Sequence, residues 1–192
     1  APDAKATWTG TFPGVYKNSS DSMRALLPPG TAAGDGAVSL DRETGTFVIQ
    51  TPATCGGFTE RGAVDAGALI FDVGDTAATV WVSALDGSPI RTASRLLLTH
   101  LTDVQNSGIR YAQQSRKTLL AWGGLPHLMR NGSAEIRLAV KPAKDYNVYV
   151  LSTSGRRLAK IPTRAVKGRL AFTAAVNGQA DTATMLYEIV RE

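Results

Sequence analysis

Side-chain alternation of period two recurs along most of the chain, and helical spacing is almost absent. No other feature limits the fold as much. Residues 134–140 show it best: Ile136, Leu138 and Val140 fall on one side of an extended chain, Glu135 and Arg137 on the other. Further strand segments are 46–51, 68–73, 79–85, 95–101, 118–122, 147–152, 157–161, 169–174 and 185–190. Between them lie Asp86-Gly87, Ser107-Gly108, Asn131-Gly132, Ser154-Gly155 and Asn177-Gly178, dipeptides suited to the positive-φ corners of tight hairpins. Many short strands joined by such turns predict an all-β chain. The expected form is a two-layer antiparallel β-sandwich with Gly/Pro-rich turns and at most one or two short helices, a closed barrel being the alternative. The run Leu96-Leu97-Leu98 predicts a strand covered on both faces. The best helix candidate is 20–27, stopped by Pro28-Pro29.

With 192 residues, 43% of them apolar and 19% charged, the chain can bury a core without staples. Residues 1–37 carry Ser19-Ser20, Pro28-Pro29-Gly30 and a Gly/Ala stretch, which reads as an extended arm or linker; residues 38–192 form the sandwich domain. No apolar run approaches the roughly 20 residues of a membrane span. The single cysteine, Cys55, excludes a disulfide scaffold and reads as a small buried thiol. The start Ala1-Pro2-Asp3-Ala4 shows neither an initiator Met nor a signal segment, as expected of a processed or excised piece.

The net charge is +5. The tightest basic group, Arg156, Arg157, Lys160, Arg164, Lys167 and Arg169, lies among strand-like segments without interleaved aromatic residues. It reads as a solvated face, and nucleic acid is not an expected partner.

Catalytic and cofactor chemistry leaves little trace. The histidines are His100 and His127, and neither HEXXH nor paired CxxC spacing occurs. His100, on a strand, reads as a hydrogen-bonded structural residue. Asp65, Asp72 and Asp75 lack EF-hand spacing and read as turn caps. Glycoside hydrolysis needs two carboxyl groups about 5 to 9.5 Å apart; Asp41 with Glu43, or Asp86 with Asp103, could be proposed, but both Asp41 and Asp86 stand at turn positions. There is no GxSxG elbow and no phosphate loop, so no cofactor is expected. Aromatic residues remain. Trp81, inside Thr79-Val80-Trp81-Val82, reads as core. Trp122, before Gly123-Gly124-Leu125-Pro126-His127, and Tyr111, in the probable loop 103–116, are the candidates for stacking a sugar ring. His127, Gln113, Gln114 and Arg116 would supply the polar contacts to its hydroxyls.

An ordered set of segments carries a resemblance. It comprises residues 38–52 (VSLDRETGTFVIQTP), 83–90 (SALDGSPI), 94–99 (SRLLLT) with Gln105-Asn106-Ser107-Gly108, Trp122-Gly123-Gly124-Leu125-Pro126, Val148–Leu151 with Gly155-Arg156-Arg157, and Leu186-Tyr187-Glu188-Ile189. Taken in order, the set resembles the C-terminal β-sandwich module attached to the (β/α)8 barrel of certain large bacterial glycoside hydrolases. The resemblance implies a non-catalytic module that buttresses or positions a catalytic domain. Its implied partner is that barrel, with polysaccharide as a further candidate, and its implied location is extracellular or periplasmic. A barrel of about 250 residues cannot lie within this chain, and the acid and base would sit on the barrel, so no catalytic residue is assigned here. Such a module should expose an apolar patch of roughly several hundred Å2 where the barrel docks. The alternative is a carbohydrate-binding module that stacks sugars on exposed aromatic rings.

Overall fold

The computed structural model describes residues 8–9, 38–41 and 44–192. The expected helix at 20–27 and most of the 1–37 arm lie outside the described residues. In chain order the strands begin with β1 (Trp8–Thr9), β2 (Val38–Asp41), β3 (Thr46–Gln50), β4 (Thr54–Thr59), β5 (Ala63–Ala66), β6 (Leu69–Asp72), β7 (Ala78–Ala84) and β8 (Arg95–Leu101). They continue with β9 (Val104–Ser107), β10 (Arg110–Tyr111), β11 (Leu119–Ala121), β12 (Gly124–Met129) and β13 (Ser133–Leu138). The last are β14 (Tyr146–Leu151), β15 (Arg157–Ile161), β16 (Arg164–Val166), β17 (Arg169–Ala175) and β18 (Leu186–Arg191). The helical content of the described residues is one 3-10 turn, Ala143–Asp145.

The strands form a nine-stranded sheet in the order β1-β2-β3-β4-β7-β8-β18-β14-β15 and a five-stranded sheet in the order β16-β17-β13-β6-β5. Two small pairings, β9 with β12 and β10 with β11, stand apart from both. All pairings are antiparallel and neither large sheet closes on itself. The expected all-β architecture is therefore present.

Alternation builds the core. Val80, Val82, Leu96, Leu98, Val148, Val150, Tyr187 and Ile189 point inward from the large sheet. Leu69, Phe71, Ile136, Leu138, Leu170 and Phe172 meet them from the small one. Each such side chain contributes about 1.5–3 kcal/mol through burial. The Phe172 and Tyr187 rings touch with centroids 6.3 Å apart. The buried phenols are satisfied by carbonyls, Tyr146 donating to Ala93 O at 2.7 Å and Tyr187 to Ala175 O at 2.7 Å.

The same alternation corrects two expectations. Val80 and Val82 take the inward positions of β7, so Trp81 is half-buried on the outer face rather than in the core. Leu97 lies outward between buried Leu96 and Leu98 and is likewise only half-buried. Gly56 lies directly beside Trp81, and a Cβ there would stand 2.3 Å from the Trp81 Cα. Its φ of +147° is also one that side chains rarely adopt, so glycine is required on both counts.

The two outer faces differ. On the small sheet it is mainly charged and hydroxylic, with Asp65, Asp72, Glu135, Arg137, Arg164 and Thr173 around Ile70 and Ala171, and Arg164 on Glu135 at 3.2 Å. That is the solvated side of an ordinary antiparallel sheet. On the large sheet the register lines up three rows. The first runs Phe47, Phe58, Thr79, Leu101. The second runs Ile49, Gly56, Trp81, Thr99, Leu186, Leu151. The third runs Thr54, Ser83, Leu97, Glu188, Tyr149, Lys160. The first two rows are mainly apolar. The third holds an ion cluster in which Glu188 bonds Arg95 Nε and Arg157 Nε, each at 2.6 Å, and the Arg157 guanidinium lies 4.1 Å over the Tyr149 ring.

Candidate functional site

Between β8 in one sheet and β13 in the other, the chain makes a ribbon of residues 102–132. Sequence reading treats 103–116 and 123–127 as loops. Much of each is strand: β9 pairs with β12 and β10 with β11, with register shifts between Gly124 and His127 and between Arg110 and Tyr111. The alternation signal fails here because the ribbon has no buried face. Nearly every residue from Val104 to Arg130 is exposed or half-exposed, so no apolar stripe marks the strands.

The ribbon is fastened at its root, its middle and its tip. At the root Thr102 Oγ1 donates to Arg130 O at 2.7 Å, and Arg130 N donates to Asp103 O at 2.8 Å. At the tip Ala112 N donates to Thr118 O and Arg116 N to Gln113 O. Arg116, in turn, clasps Asp103 with both guanidinium nitrogens, at 2.9 and 2.6 Å. In a flat ribbon tip and root would stand roughly 35 Å apart, so this contact means that the ribbon folds back on itself. The fold lies at Ser107–Gly108 and Trp122–Gly123. Gly123 has φ +66°, and a Cβ on it would come 2.2 Å from Ser107 O, so only glycine fits this close approach. The Arg116 hydrogen bonds hold the Asp103 carboxyl down at about 2.

All six residues singled out for sugar contact lie on this ribbon, Gln113 and Gln114 exposed at its tip. Trp122 stands at the fold with 74% of its surface exposed. Asn106 bridges it to His127: Nδ2 donates to Trp122 O at 3.0 Å, and Oδ1 lies 2.8 Å from His127 Nδ1. Because Oδ1 can only accept, Nδ1 is the donor of this contact. Tyr111 is placed differently. It is half-buried in β10 and the Arg116 guanidinium lies 5.9 Å from its ring centroid, covering one face. Trp122 and His127 therefore share a bridge, whereas Tyr111 belongs to the Arg116 clasp. Neither the Asn106 bridge nor the Asp103–Arg116 pair was marked in the sequence, because each joins residues more than ten positions apart without a spacing motif.

The ribbon also concentrates exposed apolar side chains. Among the described residues, six large apolar side chains are exposed, and five of them are Val104, Leu120, Trp122, Leu125 and Leu128; the sixth is Leu85. Single exposed apolar residues are ordinary, but a cluster on one braced element is the mark of a contact surface.

Elsewhere the candidate groups serve structure. Asp65 and Asp72 cap their turns by accepting from Gly67 N at 2.8 Å and Gly74 N at 3.0 Å. Asp86 accepts from Ser94 Oγ, Ser94 N and Ser88 N, which draw its carboxyl down to about 2. Asp86 and Asp103 are thus firmly ionised, the reverse of what a general acid needs. Asp41 accepts from Thr44 N at 3.4 Å, and Glu43 lies outside the described residues. Cys55 is buried, and desolvation pushes its thiol up to about 11, which keeps it a thiol rather than a nucleophile. His100 departs from expectation: it is fully buried, yet neither ring nitrogen has a hydrogen-bond partner, and desolvation lowers its pKa to about 4. No group of three or more His, Cys, Asp or Glu among the described residues converges as a metal site, and no described helix is long and apolar enough to cross a membrane. A concavity of about 600 Å3 beside Thr46, Thr59, Glu60, Arg61 and Asp65 has no aromatic ring in its described lining.

The class that fold and site define is an all-β sandwich carrying a folded-back ribbon with an exposed tryptophan at its bend. Comparison with protein-family models, curated proteins and solved structures gives no match.

Proposed function

We propose that this chain is a non-catalytic accessory module of a carbohydrate-active enzyme, which holds or positions a catalytic domain through its ribbon. The catalytic domain is the (β/α)8 barrel implied by the resemblance, and the enzyme acts outside the cytoplasm. One observation carries the reading: five of the six large apolar side chains exposed among the described residues lie on a ribbon fastened at root, middle and tip. An exposed Trp on the same element as exposed Leu and Val side chains has the composition of an interface anchor. The test is made in the parent polypeptide with the double variant Trp122→Ala/Leu125→Ala. Its catalytic domain should melt several degrees lower while the kcat of the folded fraction holds, and residues 1–192 alone should be inert on aryl glycosides. Hydrolysis by residues 1–192 that one carboxylate substitution abolishes would refute the reading, as would an unchanged melting temperature.

A second reading, a sugar-binding surface, is favoured by the Asn106 bridge, which links an exposed tryptophan to an exposed imidazole. Affinity electrophoresis in gels containing xylan, laminarin, agarose or hydroxyethyl cellulose tests it. Retardation lost in Trp122→Ala supports sugar binding, and unretarded migration in all four gels rejects it.

A further inference from the structure

Two Asn-Gly pairs meet at one end of the sandwich. Asn131-Gly132 and Asn177-Gly178 line the same concavity of about 420 Å3, together with Asp75, Thr76 and Ser133. Neither pair closes a hairpin: residues 131–132 link β12 to β13, and residues 177–178 lie in the bend that carries the chain from β17 in one sheet to β18 in the other. The fold treats them differently. Around the first pair the chain is held on both sides, Arg130 N donating to Asp103 O at 2.8 Å and Val176 N to Gly132 O at 3.0 Å. A carbon added to Gly132 would stand 2.8 Å from Thr76 Cγ2 and 3.2 Å from Thr102 Cγ2, so this glycine is packed between two threonines. Around the second pair the backbone anchors stop at Val176, whose carbonyl accepts from Thr184 N at 2.9 Å. Asn177 and Gly178 are exposed, and no hydrogen bond engages either among the described residues. Nothing stands within 4 Å of a carbon added to Gly178.

We propose that Asn177 is a site of spontaneous covalent modification, deamidating through a cyclic imide, while the fold protects Asn131. The Gly178 backbone nitrogen gives up its proton to solvent base and attacks Asn177 Cγ. A C–N bond forms, the Cγ–Nδ2 bond breaks, and the Nδ2 group leaves with a proton as ammonia. Water then opens the five-membered ring at either carbonyl, leaving aspartate or β-linked isoaspartate, with no oxidation or reduction. The step needs an uncrowded neighbour and a backbone free to swing its nitrogen onto the side chain, and glycine in open space supplies both. At Asn131 the same swing must break the Val176–Gly132 hydrogen bond, which slows it by roughly fivefold. The product matters because the bend is tied to the core just beyond it. Gln179 Oε1 accepts from the Tyr187 hydroxyl at 2.8 Å and from Ala175 N at 3.3 Å, and its Nε2 donates to Thr173 O at 2.7 Å. Isoaspartate inserts a backbone carbon between the Val176 anchor and this brace, and either product adds negative charge to the concavity that holds Asp75. Modification of Asn177 therefore loosens Gln179.

Peptide mapping of residues 1–192 by mass spectrometry, with isoaspartate scored by enzymatic methylation, tests this at pH 6 and pH 8. Isoaspartate should accumulate at 177 roughly fivefold faster than at 131, faster at pH 8 than at pH 6. It should be lost at 177 in Asn177→Gln, whose longer side chain must close a six-membered ring. In urea the two sites should react at similar rates, because the protection belongs to the fold. No isoaspartate at 177, equal or faster reaction at 131 in the folded protein, or a difference that persists in urea would overturn the proposal. The Ala175 amide should exchange faster in the modified protein by hydrogen exchange; an unchanged amide would overturn the loosening of Gln179.

Discussion

Replacing His100 by phenylalanine should make the protein less sensitive to acid. The imidazole is fully buried, and neither nitrogen has a partner. Its protonated form is therefore disfavoured in the folded state, with the pKa lowered from 6.5 to about 4 by desolvation. The unfolded chain takes up a proton as pH falls through 6.5, whereas the folded chain does so only near 4. Stability is thus lost between those values, and below 4 the loss levels off. At about 1.4 kcal/mol per unit, the full window is worth on the order of 3 kcal/mol, and roughly 2 kcal/mol has gone by pH 5. Phenylalanine has no proton to bind and leaves no unpaired buried nitrogen, a burden of about 1–3 kcal/mol. Urea unfolding of both proteins at pH 7, 6, 5 and 4.5, at fixed ionic strength, measures the difference. The variant should match or exceed the native protein at pH 7 and gain roughly 2 kcal/mol on it by pH 5. A difference that stays flat with pH would refute the reasoning, because it would mean that the imidazole is solvated or paired when folded.

Three further outcomes concern the ribbon. Asp103→Asn should open the Arg116 clasp. The Asp103 pKa lies below its usual value, so its contribution is present above pH 3.8 and fades as pH falls toward 2. Discounted for solvent exposure it is worth about 1 kcal/mol, so the Ala112 and Arg116 amides should exchange roughly fivefold faster at pH 7 by hydrogen exchange, and unchanged exchange would count against the clasp. Gly123→Ala should disorder the bend and move the Ser107 and Asn106 resonances, whereas Gly124→Ala, with nothing within 4 Å of its added carbon, should leave the spectrum in place. Trp122→Ala should change the stability of residues 1–192 by no more than about 0.5 kcal/mol in urea, because the ring is 74% exposed; a larger loss would make Trp122 a structural residue.

What the sequence made legible follows the physics of burial. The 134–140 segment reads as a strand because the core enforces its alternation, and it appears as β13 with Ala134, Ile136 and Leu138 buried. β12 and β9 were read as loops because nothing buries either face. Trp81 was misplaced because a continuous apolar run does not say which parity points inward; the β7–β8 register decides that, with Val80 opposite His100 inside and Trp81 opposite Thr99 outside. Trp122 and His127 were singled out because glycine and proline around them signalled a departure from regular packing. The residues that fix them, Asn106 and the Asp103–Arg116 pair, act across the fold, and local sequence carries no mark of such partners.

The ribbon's role can be separated from folding by removing it. None of its residues belongs to the buried core cluster, and ordering about 30 residues costs on the order of 1–2 kcal/mol each. Its internal bonds offset that cost locally and leave the sandwich no evident gain from the insertion. Its ends already meet: Thr102 Oγ1 bonds Arg130 O at 2.7 Å, and a carbon added to Gly132 would lie 3.2 Å from Thr102 Cγ2. A short Gly-Ser turn in place of residues 104–129 should therefore leave a folded protein whose circular dichroism keeps its strand signal and whose melting temperature moves by only a few degrees. If the ribbon exists to hold another domain, that shortened chain should fold but fail to stabilise the parent enzyme. If the shortened chain unfolds, the ribbon is part of the sandwich's own folding unit, and its exposed leucines and tryptophan lose their claim to be a contact surface.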